Sequence, residues 1–121
     1  MIGYTTIGAN DLDKALAFYD PLMEVVGGRR AMEIDNGQLY GFSQGAFFGV
    51  VTPFDKKAAT AGNGTMIALS VGSNGKVDAV HAKALELGAA DEGEPGLRTD
   101  NFYGAYFRDP DGNKICVFHM G

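Results

Sequence analysis

The chain has 121 residues, 45% hydrophobic and 21% charged, with a formal net charge of −5 and one cysteine. That is apolar material for one folded core and too much for a disordered segment. An acidic chain with no basic cluster is a poor partner for nucleic acid or anionic membranes, no apolar run is long enough to span a bilayer, and a lone cysteine makes no internal disulfide. Met1 to Tyr4 lacks the regions of a signal peptide, so the expectation is a cytoplasmic protein without nucleic-acid or membrane partners.

In chain order, Ile2 to Gly8 alternates weakly and reads as a strand. Asn10 is placed to cap a helix whose apolar positions Leu12, Ala15, Phe18, Tyr19, Leu22 and Val25 follow helical spacing, and Gly27 and Gly28 stop it. Three strands follow, Arg29 to Ile34, Gln38 to Phe42 and Ala46 to Val51, separated by turn residues at 35–37 and 43–45. Residues 53–63 are rich in Ala, Gly, Thr and Lys and read as a linker.

The pattern then repeats. Thr65 to Val71 reads as a strand and Asn74 to Leu87 as a helix, with Val77, Val80, Ala84 and Leu87 on one stripe and Gly88 closing it. Asp91 to Glu94 is a further strand, followed by a loop carrying Arg98. Tyr103 to Arg108 and Lys114 to His119 form a hairpin around Asp109, Pro110, Asp111, Gly112 and Asn113, residues suited to a tight turn. The chain is thus α+β: two βαβββ modules, about 1–52 and 64–119, whose curved mixed sheets are expected to form a cup with the helices outside.

Two stretches make the pattern specific: 7–19 (IGANDLDKALAFY) and 103–119 (YGAYFRDPDGNKICVFH). Together they resemble the vicinal oxygen chelate superfamily, also called the glyoxalase/bleomycin resistance/dioxygenase superfamily, over nearly the whole chain. The resemblance implies paired βαβββ modules, within one chain or across a homodimer. It also implies a divalent metal held by His or Gln on the first strand, His on the first strand of the second module, and Glu on the last strand of each. The matching positions here are Tyr4, Met66, Gly49 and Cys116. Such a set is poor in the hard oxygen and nitrogen donors that this chemistry needs. The expectation is therefore no metal and no other cofactor.

Neither histidine replaces the missing ligands. His81 falls inside the second helix and is expected to be partly solvated; alternation places His119 on the helix side of its strand. The same alternation sends Lys114, Cys116, Phe118 and Met120 to the other side. Cys116 reads as a packing or cavity-lining residue, since nothing local activates its thiol.

The expected ligand-binding set is Tyr4, Phe47, Met66, Arg98, Tyr103, Cys116 and Phe118. The aromatic and soft members suit a flat or apolar molecule. Arg98 could fork to a carboxylate, or pair with Glu94 or Asp100. No catalytic residue is assigned. The leading expectation is a metal-independent binding protein that holds a small aromatic or acidic molecule in an aromatic cup, as a homodimer. The alternatives are a lyase, isomerase or dioxygenase with an atypical or absent metal site, and an accessory protein with a filled cup.

Overall fold

The computed structural model describes residues 1–121. The chain divides into a first unit, Met1–Thr60, and a second, Ala61–Gly121. The first contains β1 (Tyr4–Gly8), α1 (Leu12–Val26), β2 (Arg29–Ile34), β3 (Gly37–Gly41) and β4 (Phe47–Val51). The second contains β5 (Ile67–Ser70), α2 (Asn74–Glu86), β6 (Ala90–Thr99), β7 (Phe102–Arg108) and β8 (Lys114–Met120). The sheets have strand orders β1-β4-β3-β2 and β5-β8-β7-β6, so the outer β1 and β5 each run parallel to the last strand of their unit. No helix is long and apolar enough to cross a membrane.

In the first unit α1 lays Ala15, Phe18, Tyr19, Leu22 and Met23 on one face of the sheet, all buried. Tyr19 meets Phe18 edge-on at 4.9 Å and Phe48 at 5.3 Å. Burial of side chains this size stabilises by roughly 1.5–3 kcal/mol each, which explains how α1 runs through Pro21 although a mid-helix proline costs about 3 kcal/mol. At the edge of this layer the Tyr40 hydroxyl donates to Asp20 at 2.6 Å, and Arg30 donates to both carboxylate oxygens at 2.8 and 2.9 Å. The Arg30 bonds hold the Asp20 carboxyl below its ordinary range against the opposing effect of burial, and Tyr40 adds to them. Burial, then the Asp20 bond, pushes the Tyr40 phenol well up.

The helix cap differs from the sequence expectation. Asp11, not Asn10, occupies the N-cap, its side chain accepting from the Lys14 N–H at 3.1 Å. Asn10 instead reaches Ala59, accepting from its N–H at 2.8 Å and donating to its carbonyl at 3.4 Å. These bonds stitch part of the expected linker to the start of α1.

In the second unit α2 is capped by Ser73 and buries Val77, Val80, His81 and Ala84. Ile115 and Val117 of β8 and Ala105 and Phe107 of β7 are buried. His81 is therefore core-facing rather than partly solvated, because its ring completes the stripe and its Nε2 lies 3.1 Å from Asp91. β6 is longer than expected. It continues through Gly93, Pro95 and Gly96 by register shifts, which an edge strand tolerates because its outer backbone groups need no partner.

The β7–β8 turn closes on the buried Asp109 carboxylate. It accepts from the N–H groups of Asp111 and Asn113 and from the Asn113 side-chain amide, each at 2.9 Å, while Gly112 takes φ 87°. This bonding fixes the register that pairs Tyr106 with Cys116 and Gly104 with Phe118.

Candidate functional site

Each sheet has one face covered by its helix and one open face. Alternation along the strands, read with the ladder register, assigns the side chains.

On the open face of the first unit Tyr4 lies beside Phe47, and Gly49 lies between Thr6 and Leu39. Tyr4 is 63% and Phe47 42% exposed. Gly49 leaves room that Leu39 has taken: a Cβ there would stand 2.7 Å from Leu39 Cδ2 and 3.1 Å from the Thr5 carbonyl oxygen. Beyond Phe47 a depression of about 570 Å³ is lined by Gly28, Arg29, Ala31, Gly41, Phe42 and Phe47.

The open face of the second unit differs in kind. Met66 immediately precedes β5 and is 41% exposed. Cys116 is fully buried, with Lys114 and Phe118 on its face two residues either side and Tyr106 opposite it. The Arg98 guanidinium lies 5.4 Å from the Tyr106 ring centre and the Lys114 ammonium 5.5 Å, arriving from the two strands that flank β7. Arg98 belongs to β6, not to a loop. It donates through Nη2 to the Glu94 carbonyl at 2.7 Å, and pairs with neither the Glu94 nor the Asp100 carboxylate. The Phe102 and Phe118 rings stack in parallel at 5.0 Å. Gly104 makes this possible, since a Cβ there would stand 2.7 Å from the Phe102 ring.

Burial pushes the Cys116 thiol up in pKa, outweighing the Tyr106 hydrogen bond and the Arg98 and Lys114 charges, which act the other way. The thiol is thus an uncharged packing group at neutral pH.

Of the seven expected site residues, Tyr4 and Phe47 share the open face of the first unit, and Arg98, Cys116 and Phe118 that of the second, with Met66 at its margin. Tyr103 separates from them. It pairs with His119 on the helix side, and its hydroxyl donates to Asp78 of α2 at 2.7 Å, while His119 Nδ1 lies 3.0 Å from the Asn74 side-chain oxygen. The odd–even parity of β7 forces this, because Tyr103 and Tyr106 are three residues apart. Tyr106 is the residue that sequence reasoning missed, although reflecting Cys116 through the centre of the turn leads to it.

Two four-stranded mixed sheets, each backed by one helix and entered through a βαβββ repeat, define a two-module α+β protein. The family model of the Glyoxalase/Bleomycin resistance protein/Dioxygenase superfamily matches residues 1–117, and the chain belongs to that superfamily. Among solved structures it is similar to a glyoxalase/bleomycin resistance protein from Albidiferax ferrireducens T118, with 37% identity and a TM-score of 0.92 over 100% of this chain and 99% of that one. A lactoylglutathione lyase from Agrobacterium tumefaciens shares the fold at 20% identity, TM-score 0.72, covering 98% and 92%. So does a putative glyoxalase from Bacillus halodurans at 21% identity, TM-score 0.75, covering 98% and 95%. No curated protein matches the chain.

Proposed function

We propose that this chain is a small-molecule-binding member of its superfamily that works without a bound metal, holding an aromatic or acidic ligand against the open faces of its sheets. The observation that carries this reading is the set of side chains at the superfamily's ligand positions: Tyr4, Gly49, Met66 and Cys116. A phenol, a thioether and a buried neutral thiol do not fit a hard divalent ion, and the Gly49 position is filled by Leu39. No three His, Cys, Asp or Glu side chains gather anywhere in the chain in a way that could hold a metal. In place of donors the faces offer aromatic rings, sulfur atoms and cations, a lining suited to dispersion and charge rather than chelation.

The same reading takes the protein as a cytoplasmic homodimer. Its support is the single free cysteine and the exposed apolar side chains Tyr4, Met32 and Phe47.

The test pairs two titrations of the untagged protein. Calorimetry with Ni²⁺, Zn²⁺, Mn²⁺ and Fe²⁺ under reducing, anaerobic conditions should show no stoichiometric tight site. A thermal-shift screen of aromatic and acidic small molecules should raise Tm. Near-stoichiometric metal would overturn metal independence and turn attention to lyase and dioxygenase assays. A screen in which no aromatic or acidic compound binds would overturn the binding role.

A further inference from the structure

We infer that the open face of the second unit selects a planar carboxylate, with Arg98 and Lys114 reading the anion and the Phe102–Phe118 stack holding the flat body. The inference rests on the small-molecule reading above and narrows it to one chemical class.

The first ground is charge. The protein carries a net −5, yet this face gathers two cations that no carboxylate engages. The neighbouring Arg108, on the same face, is already taken by Glu92 at 2.6 Å and by the Gly112 carbonyl at 3.1 Å. Arg98 spends one N–H on Glu94, which fixes the guanidinium beside Tyr106 and leaves four donors for a ligand. The Tyr106 ring attracts both cations, one from each of the strands that flank β7. An anion at the edge of that ring would meet both charges, and a guanidinium fork with an ammonium is a suitable carboxylate clamp.

The second ground is spacing. Along β7 the Phe102 ring folds over Gly104, and Tyr106 follows two residues on; across the ladder Phe118 faces Gly104 and Cys116 faces Tyr106, so the ring stack and the phenol are one two-residue step apart. Two strand residues span roughly 7 Å, about the length of a six-membered ring bearing a carboxylate. A ligand of that size would lay its ring toward the stacked phenylalanines and its carboxylate beside Tyr106, where Arg98 and Lys114 converge. The buried, neutral Cys116 would serve as floor, not as nucleophile.

The experiment compares cinnamate and 2-naphthoate with their primary carboxamides and with acetate, titrated into the full chain by calorimetry and ¹H–¹⁵N NMR. Each acid should bind at least about tenfold tighter than its amide and than acetate, with the largest shifts at Arg98, Tyr106 and Phe118. The Arg98→Gln/Lys114→Met double variant should bring acid and amide within about twofold of one another. Arg98→Lys and Lys114→Arg should retain the preference. Equal binding of acid and amide by the unaltered protein, or a preference that survives the double variant, would overturn the inference and leave the broader reading standing. Failure of acids and amides alike would overturn the inference, and extended to the whole screen it would take the broader reading with it.

Discussion

The two units share strand order and pairing but not the chemistry of their open faces. Gly49 and Cys116 occupy equivalent ladder positions, as do Leu39 and Tyr106, Phe47 and Lys114, and Val51 and Phe118. In the first unit this set is apolar, with Leu39 filling the space over a glycine. In the second it carries the Lys114 cation beside a phenol that Arg98 of β6 also approaches. One backbone pattern thus presents two surfaces of different side-chain chemistry. Function follows the side chains placed on the fold, not the fold itself.

The difference extends to how each unit fixes its last hairpin. The β7–β8 turn depends on the buried Asp109 carboxylate, whereas 42–46 in the first unit offer no equivalent anion. Asp109→Ala should therefore have the largest effect on stability, a loss of about 3 kcal/mol in urea unfolding, because three donors lose a charged acceptor in a buried turn. A loss no larger than that from Ser43→Ala would show that the turn holds its register without the carboxylate.

Gly49→Glu probes the open faces directly, since it restores the superfamily's carboxylate at one position. The new Cβ meets Leu39 and the Thr5 carbonyl, so the variant should lose roughly 1–3 kcal/mol. It should gain no tight Ni²⁺ or Zn²⁺ site, because Tyr4, Met66 and Cys116 remain poor donors. Stoichiometric metal in this variant, seen by calorimetry, would mean that one carboxylate is all the site lacks.

On the helix side the Asp20–Arg30–Tyr40 group makes the first unit sensitive to pH at both extremes. Asp20 is depressed, so its contribution is present above the unfolded value near 3.9 and fades as pH falls through the folded value. Tyr40 is raised, so its contribution is complete below about pH 10 and is lost as pH rises from there through the folded value. Asp20 and Arg30 are 41% and 49% exposed at their side chains, which limits the ion pair to about 1 kcal/mol or less. Tyr40→Phe should flatten the alkaline limb of stability against pH, and Asp20→Asn the acid limb. Limbs unchanged in both variants would assign the pH dependence to other groups.

Much of the fold was legible because its signals are local: glycines after each helix, turn residues between strands, and the Asp-Pro-Asp-Gly-Asn hairpin. The site was less so. Cys116, Phe118 and Lys114 were placed on one face by alternation within a single strand. Tyr106 needs the pairing across the turn as well, and Tyr103, an aromatic of the same segment, has the parity that points to α2. Gly93, Pro95 and Gly96 read as loop in the sequence, while an edge strand absorbs them as bulges and so carries Arg98 on the sheet. His81 looked solvated because it is polar, but its neighbours Val77, Val80 and Ala84 set the stripe, and Asp91 supplies its partner from another strand. Each of these features depends on a contact between elements that no single segment encodes.

The smallest change probes the centre of the second face. Cys116 is fully buried beside Tyr106, and its thiol is raised in pKa by burial despite two nearby cations. A reactive thiolate needs exposure and a net favourable charge environment, and here desolvation outweighs the latter. Iodoacetamide at pH 8 should therefore label the native protein at least about a hundredfold more slowly than the denatured chain, and cinnamate should slow it further by holding the face closed. Fast native labelling would show Cys116 reached and ionised under native conditions, turning the floor of the second face into a reactive group and setting the two units further apart. Cys116→Ser separates these outcomes from a packing defect, since it removes the labelled atom while changing side-chain volume little, and charge selectivity should survive it.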